Sequence, residues 1–483
     1  MAVLLQNLSI DQRIYISKVL AIPPKENFFE KKKKNFYKRR FSEDEDEGCE
    51  KNDKTVLFYL YDEISGTLRV PYKFAEKFIG HNYNRYYVWH PMINFSFTKE
   101  LRDDQIRIYY QAWDHLQKSG CANLNIYTSA GKTVIAAKLS SELSHIVLIL
   151  VTSTSLMVQW LNTFAEFTSA RPYIVDGLFK GHPQTNVIIC MTSRIHYIPK
   201  EWLGIVGTLI IDESHTHCSS SRVPALLSTT PKYIITCSAT PIRDDGMEVM
   251  MEALSGTERI IKISKKPFNV YRCNTGFSDD IPLDYDGTPN WNKLVNKMCE
   301  DPERNQVIID LVNLYFKDSK ILILTLRKNH VLLLYEMISK LGIKCDYMTG
   351  NKKTYSDSNV LVGSIKKIGT GFDEKSACAD FAGIRISKLI LAATVNSKAL
   401  LEQVAGRCFR ADFPEIYNLV DDNYISEKHY NKAIKWYVSR NGTLFEFFTT
   451  KASLNRQNGI YPKVRNTDLS RLAYSQAKLF YKK

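Results

Sequence analysis

Leu124-Asn125-Ile126-Tyr127-Thr128-Ser129-Ala130-Gly131-Lys132-Thr133 and Thr208-Leu209-Ile210-Ile211-Asp212-Glu213-Ser214-His215 are the two stretches on which the reading of this chain turns. Each is a short apolar run that delivers a set of polar residues. An apolar strand that brings Gly-Lys-Thr to the first turn of a helix builds a phosphate cradle. Backbone N–H groups of Thr128, Ser129, Ala130 and Gly131 face the phosphates, Lys132 adds a positive charge, and the Thr133 hydroxyl reaches Mg²⁺. A strand that ends in Asp-Glu, here Asp212-Glu213, supplies the other half: one carboxylate for the metal and one to activate water. The bland alternatives are a chance Gly-Lys-Thr at a helix start and an exposed acidic strand end. The upstream glycine of the usual G-x-x-x-x-G-K-[ST] pattern is replaced by Ile126, and the strand-before, helix-after context compensates. Two acids directly after Ile210-Ile211 stand at the carboxyl edge of a parallel sheet, where ligands bind in such folds.

Working outward, residues from about 98 to 268 alternate apolar runs with amphipathic ones. Strands are expected at 124–127, 146–151, 186–191, 208–211 and 233–237, and helices at 132–143 and 155–167. Continuous apolar strands between helices argue for a parallel sheet covered on both faces. A polar segment at 269–300 reads as a crossover, after which the alternation restarts at 301–440. There the expected strands are 320–325, 359–365, 388–393 and 415–420, and the expected helices 329–341 and 398–408. The chain is thus read as α/β, with two doubly wound domains.

Residues 1–97 differ in composition. A charged loop at about 25–54 sets Lys31 to Lys34 beside an acidic run from Glu43 to Glu47 and reads as solvated. Thr55 to Tyr61 reads as a strand, with a turn at Ile64 to Thr67, which makes this a small α+β accessory domain. The tail at 441–483 carries scattered Arg and Lys and no catalytic pattern.

The formal net charge of +14 points to a polyanionic partner, nucleic acid first. Ten cysteines without a C-x-x-C pair fit a reducing compartment. The longest apolar run, Ile146 to Val151, is too short to span a bilayer, so a soluble intracellular protein without membrane contact is expected.

Three further stretches complete the pattern. Ser238-Ala239-Thr240-Pro241 follows an apolar strand. Gly369-Thr370-Gly371-Phe372-Asp373 follows a strand in the second domain. Gln403-Val404-Ala405-Gly406-Arg407-Cys408-Phe409-Arg410 places two arginines three apart, on one face if helical, which suits a triphosphate. His215, His217 and Cys218 have no matching second cluster, so zinc is not expected.

In this order across two α/β domains, the chain from about 98 to 440 resembles the superfamily 2 helicases of the DEAD/DEAH-box-like kind, in a D-E-S-H form. Leu101 to Gln105 looks like their adenine-sensing element, with Gln105 in the reading position. Ser238 to Gly246 resembles the branch that holds the transcription-factor and repair translocases. Within that branch, the run Asp301 to Gln306 and the chain length match the poxvirus-type transcript-release DNA helicases and their relatives in iridoviruses and other large DNA viruses.

The resemblance implies two tandem RecA-like domains behind a small α+β N-terminal domain, with ATP and Mg²⁺ as ligands. It implies that Ser238 and Thr240 couple hydrolysis to motion, that Arg407 and Arg410 act as arginine fingers beside Gln403, and that Gly371 and Asp373 sense nucleotide. Thr152, Thr192 and Ser193 would touch the nucleic-acid backbone from the first domain, and Thr325 and Arg327 from the second. Lys132 and the two arginines would meet across a cleft. The implied partners are DNA or RNA and a viral RNA polymerase, the protein acting as a monomer in the host cytoplasm or viral factory, or packaged in the virion. The rivals are an RNA-directed helicase and a non-hydrolysing scaffold for nucleic acid or polymerase.

Overall fold

In the computed structural model the described residues are 2–4, 8–23, 55–62, 66–79, 88–127, 130–182, 184–240, 243, 245–264, 266–284, 287, 290–350, 352, 354–369, 372 and 374–447. The chain divides into two compact units, Met1–Lys262 and Ile263–Lys483. Among the described residues no helix is long and apolar enough to cross a membrane.

The first unit opens with a small α+β piece: β1 (Ala2–Leu4), α1 (Ile10–Val19), β2 (Ala21–Ile22), β3 (Val56–Leu57), β4 (Leu60–Asp62), β5 (Thr67–Arg69) and α2 (Tyr72–Ile79). A capping box starts α1, Ser9 Oγ accepting from Gln12 N while Gln12 Oε1 accepts from Ser9 N. The strand expected over Thr55 to Tyr61 is broken in two. Phe58 is fully buried and its N–H donates to Leu20 O, so the backbone turns inward between β3 and β4. As a result β3 pairs with β2 and β4 with β5, both antiparallel. The charged loop expected at 25–54 lies outside the described residues.

Among the described residues, this piece shares its core with the parallel sheet. Leu20, Phe58, Val70 and Ala75 belong to one apolar cluster with Leu148, Leu150, Leu209 and Met250 of the parallel sheet and its helices. Polar contacts reinforce the seam: Arg69 Nη1 donates to Ser228 O at 2.7 Å, Tyr72 OH to Lys232 O at 3.0 Å, and Lys73 Nζ to Ser119 O at 2.7 Å.

The rest of the first unit runs α3 (Asp103–Ser119), β6 (Cys121–Ile126), α4 (Lys132–Leu143), β7 (Val147–Val151), α5 (Thr154–Phe167), β8 (Pro172–Val175), β9 (Val187–Met191), β10 (Thr208–Asp212), β11 (Tyr233–Cys237), α6 (Val249–Ser255) and β12 (Ile260–Lys262). Its seven strands lie in the order β12-β6-β11-β10-β7-β9-β8, every pair parallel. Val147, Ile149 and Val151 fill one face while Leu148 and Leu150 fill the other, which is why these strands read as unbroken apolar runs.

The second unit repeats the architecture with β13 (Phe268–Asn274), α7 (Trp291–Glu300), α8 (Pro302–Tyr315), β14 (Lys320–Thr325), α9 (Lys328–Ser339), β15 (Cys345–Met348), β16 (Val360–Ser364), α10 (Ile365–Gly369), β17 (Ile386–Leu391), α11 (Lys398–Ala405), β18 (Glu415–Val420), α12 (Tyr424–Ser439) and β19 (Gly442–Phe447). Its strand order is β15-β16-β14-β17-β18-β13-β19, again all parallel. The doubly wound α/β fold expected twice over is therefore present twice.

The segment read as a crossover at 269–300 is more ordered than expected. Most of β13 lies in it and sits inside the second sheet between β18 and β19, and α7 closes it. Its buried residues Phe268, Val270 and Cys273 are separated by Asn, Tyr and Arg, a pattern that passes for polar coil.

Candidate functional site

Parallel strands put all their carboxyl ends on one edge, and in the first unit three adjacent strands carry the expected motifs there. β6 leads to the phosphate cradle, β11 to Ser238-Ala239-Thr240, and β10, beside β11, ends in Asp212. Thr128 and Ser129 lie outside the described residues. Ala130 is fully buried, and Gly131 has φ 83, a left-handed conformation that caps the start of α4. A Cβ at Gly131 would come within 2.2 Å of Gln105 Nε2, so a side chain there displaces the Gln105 amide, while the left-handed backbone angle favours glycine. Lys132 opens the helix, is buried, and turns its ammonium back toward Ile126 O at 3.5 Å. Thr133 follows, half-buried.

Gln105 is placed against this turn rather than out in solvent. It is 2% exposed, donates from Nε2 to Ala130 O at 3.0 Å, and accepts from Arg102 N at 3.1 Å. A glutamine amide has one more N–H and one more lone pair to offer. The residue therefore buttresses the cradle and can still meet a base.

Asp212 and Glu213 are both buried. Asp212 Oδ2 accepts from Trp160 Nε1 at 2.8 Å, and Oδ1 accepts from Glu213 N at 2.9 Å. Burial first, and then the charge of Glu213, push the Asp212 carboxyl up to about 6, against the pull of Lys132 and of the Trp160 N–H. Such a group is stabilised as a carboxylate by a divalent cation. Glu213 sits at φ 47, a left-handed backbone that a glutamate rarely adopts. Its Oε2 is buried, has no hydrogen-bond partner among the described residues, and lies 3.5 Å from His215 Nδ1. An orphaned carboxylate oxygen at this edge suits the acceptance of a proton from water. The residues present thus fit ATP with Mg²⁺: Thr133 and Asp212 would hold the metal.

The link from this pair to the third motif is direct. His215 Nδ1 and Ser238 Oγ are 2.9 Å apart, and Ser238 Oγ accepts from Thr240 N at 3.1 Å. Thr240 Oγ1 is buried without a hydrogen-bond partner among the described residues. Burial lowers the His215 pKa, so the ring is neutral at pH 7. His217 is fully buried, donates from Nε2 to Asp212 O at 2.9 Å, and has its pKa held down to about 3 by burial. These histidines brace the acidic turn.

Trp160 went unnoticed in the sequence because a tryptophan in an amphipathic helix reads as core. The signal available was only its polar N–H, which a buried indole must satisfy.

In the second unit, α11 ends at Ala405, not at Cys408 as expected, and Arg407 to Arg410 lie in successive turns. Arg407 N donates to Val404 O, Cys408 N to Ala405 O and Ala411 N to Cys408 O, all three-residue closures. The two arginines are therefore not on an α-helical face. They also differ in environment. Arg407 is 9% exposed, with Nη1 donating to Phe372 O at 2.6 Å and Nη2 to Gly369 O at 2.9 Å. It clamps both ends of the Gly-Thr-Gly loop, whose Thr370, Gly371 and Asp373 lie outside the described residues. Arg410 is half-buried. Gln403 is buried beside Gly369.

The expected nucleic-acid contacts divide. Ser193 is exposed, and Arg327 and Thr152 are half-buried. Thr192 and Thr325 are not surface groups. The Thr192 hydroxyl donates to Val151 O at 3.0 Å, and Thr325 is fully buried with its hydroxyl 2.6 Å from His330 Nδ1. A hydroxyl at the end of a central strand is shielded by the next helix turn, so both serve the fold first.

Residues 98–243 match the family described as the type III restriction enzyme, res subunit. The chain is 28% identical over 426 residues to protein 161L of Invertebrate iridescent virus 6, which bears a helicase name, covering 81% of this chain and 92% of that one. Over most of its length the chain is similar to viral proteins that bear helicase names. Protein 055L of Frog virus 3, also named as a helicase, is 29% identical over 358 residues, 71% of this chain and 79% of its own length. Protein L396 of Acanthamoeba polyphaga mimivirus, named as an ATP-dependent RNA helicase, is 23% identical over 384 residues, 72% of each. Among solved structures, a fragment described as an HsdR subunit of a type I restriction enzyme from Vibrio vulnificus shares the fold. Its TM-score is 0.50 at 16% identity, over 73% of this chain and 69% of the other.

Proposed function

We propose that this protein hydrolyses ATP to move along, or unwind, nucleic acid, with DNA as the track, in the transcription of a large DNA virus. The observation that carries the reading is the buried Glu213 Oε2, orphaned at the sheet edge where Lys132, Asp212 and Ser238 stand. The cradle backbone from Ala130 to Thr133 holds the phosphates and Lys132 offsets their charge. Mg²⁺, when bound, neutralises the phosphate charge that builds up in phosphoryl transfer. Glu213 orients the attacking water and takes its proton. Arg407 and Arg410 serve in this reading as arginine fingers that stabilise the γ-phosphate charge, an effect worth about 10³–10⁵ in rate. Loss of that charge on hydrolysis loosens the grip, and backbone contacts on one strand turn the cycle into movement.

The domain limits proposed for this activity are 98–268 and 301–440, with 1–97 as accessory. A viral RNA polymerase is the proposed partner, and a monomer the proposed working form. The test is ATP turnover by the wild type with single-stranded DNA and with RNA, and by Lys132→Ala and Arg407→Ala. Turnover that survives in both variants would mean that the site is wrongly assigned. The RNA-directed reading is favoured by the name of the mimivirus relative. It wins if RNA stimulates turnover and DNA does not.

A further inference from the structure

The run Asp301-Pro302-Glu303-Arg304-Asn305 carries none of the motifs of the nucleotide site, yet it buries two polar side chains side by side, Arg304 and Asn305. Asp301 caps α8, its carboxylate accepting from Arg304 N at 2.7 Å. Arg304 is 0% exposed. Its Nε donates to Asp421 Oδ1 at 2.7 Å, and its Nη2 to Asp421 Oδ2 at 3.4 Å and to Ala392 O at 2.7 Å. Asp421, also fully buried, accepts in addition from Thr275 Oγ1 at 2.6 Å.

The neighbouring Asn305 extends the network on the other side. His330 Nε2 donates to Asn305 Oδ1 at 2.8 Å, which leaves His330 Nδ1 to accept from Thr325 Oγ1 at 2.6 Å. Asp421 directly follows β18, Ala392 follows β17, Thr275 follows β13, and Thr325 ends β14. These are four consecutive strands of the sheet, in the order β14-β17-β18-β13. Two adjacent residues on one helix are thus linked to the carboxyl ends of all four, Arg304 directly to those of β17 and β18 and through Asp421 to that of β13, Asn305 through His330 to that of β14.

Stability alone does not account for this. A buried ion pair adds little over a packed apolar pair, because desolvation offsets the attraction. Here Arg304 Nη1 also lacks a hydrogen-bond partner among the described residues, a further cost. What the network does supply is fixed geometry: directional bonds set the heights of four loop starts relative to each other. The loop from Thr325 carries the half-buried Arg327, whose guanidinium is held by Asn292 and Asn296 at the surface.

We propose that Arg304 and Asn305 are positioning residues for nucleic-acid grip, acting through the ends of β13, β14, β17 and β18 and not by touching the strand. The inference rests on the nucleic-acid reading above.

The experiment compares full-length wild type, Arg304→Lys and Ile308→Val. Ile308 is a fully buried apolar neighbour on α8, so its variant reports plain loss of stability. Three quantities are read: melting temperature, affinity for a fluorescent single-stranded oligonucleotide (DNA and RNA) across a salt series, and affinity for a fluorescent ATP analogue. The expected result for Arg304→Lys is at least tenfold weaker oligonucleotide binding, a salt slope shallower by about one phosphate contact, and nucleotide affinity within twofold of wild type. Ile308→Val should bind oligonucleotide as wild type does. If Arg304→Lys does not fold, Asn305→Ser, which leaves the ion pair intact, carries the same expectation. Oligonucleotide affinity that tracks melting temperature alike in both variants overturns the inference and leaves the functional reading standing. A wild type that binds neither DNA nor RNA overturns both.

Discussion

Trp160 Nε1 donates a 2.8 Å hydrogen bond to Asp212 Oδ2, tying the middle of α5 to the end of β10. The carboxylate expected to hold the metal is thus aimed by an indole that cannot rotate, because Trp160 is fully buried. Replacing Trp160 with Phe should lower ATP turnover by about tenfold and raise the Mg²⁺ concentration needed for half-activation. A hydrogen bond to a charged group is worth about 1.5–3 kcal/mol. A Mg²⁺ titration of turnover checks it; an unchanged half-activation point would separate Trp160 from the metal site.

Gly131 gives a sharper test of the cradle. Gly131→Ala meets Gln105 Nε2 and also strains a backbone at φ 83. Nucleotide affinity should fall by about a hundredfold, from the strain of about 1–2 kcal/mol and the displaced amide together. The double variant Gly131→Ala with Gln105→Ala removes the clash but not the strain, so calorimetry should show partial recovery only.

Arg407 and Arg410 should part company under mutation. Arg407→Ala loses two bonds that hold the Gly369 and Phe372 carbonyls, so both melting temperature and turnover should drop, the stability by about 2 kcal/mol or more. Arg410→Ala should lower turnover with little change in melting. Equal melting shifts in the two would contradict the division.

Acid should destabilise the protein through its buried histidines. Burial, helped by the charge of Arg304, holds the His330 pKa down to about 3, and burial does the same for His217. The unfolded chain, with a pKa of about 6.5, binds the proton more readily. The stabilising contribution is therefore complete above that value and is lost as pH falls from about 6.5 toward 3. Each histidine should cost about 2 kcal/mol between pH 7 and pH 5. Melting curves at the two pH values should converge in His330→Gln relative to wild type.

Arg69 bonds two carbonyls, of Leu227 and Ser228, at the opposite edge of the first sheet from the cradle. Arg69→Ala should lower the melting temperature by a few degrees while nucleotide affinity stays within twofold, because the seam is remote from the site.

The sequence was most legible where burial is complete on both faces of a sheet. β10, β11, β14 and β18 begin at the residues expected for them, Thr208, Tyr233, Lys320 and Glu415, because a short run dense in apolar residues suits a central parallel strand covered on both faces. It was least legible at the edges. β8 opens on Pro172 and is only half-buried, and β19 lies in a tail without periodicity; an edge strand needs fewer apolar residues and tolerates proline at its first position. In the site, residue types at strand ends were enough to bring Lys132, Asp212, Glu213 and Ser238 to one edge of the first sheet. They could not show that Thr192 and Thr325 turn inward, or that Arg407 grips its own domain. Those depend on side-chain direction, which a spacing does not carry.

The shared core of the N-terminal piece has a consequence for synthesis. Leu20, Phe58 and Ala75 emerge from the ribosome first, but the cluster they join is completed by Met250 and Leu254. At about 5–20 residues per second, some 180 residues of chain take roughly 10–35 s to follow. For that time the described apolar face of the first-made segment lacks part of its cover. The cell that makes the protein must then either shelter the nascent chain with chaperones or lose a fraction of it to aggregation, and slowing translation before residue 254 should raise that fraction.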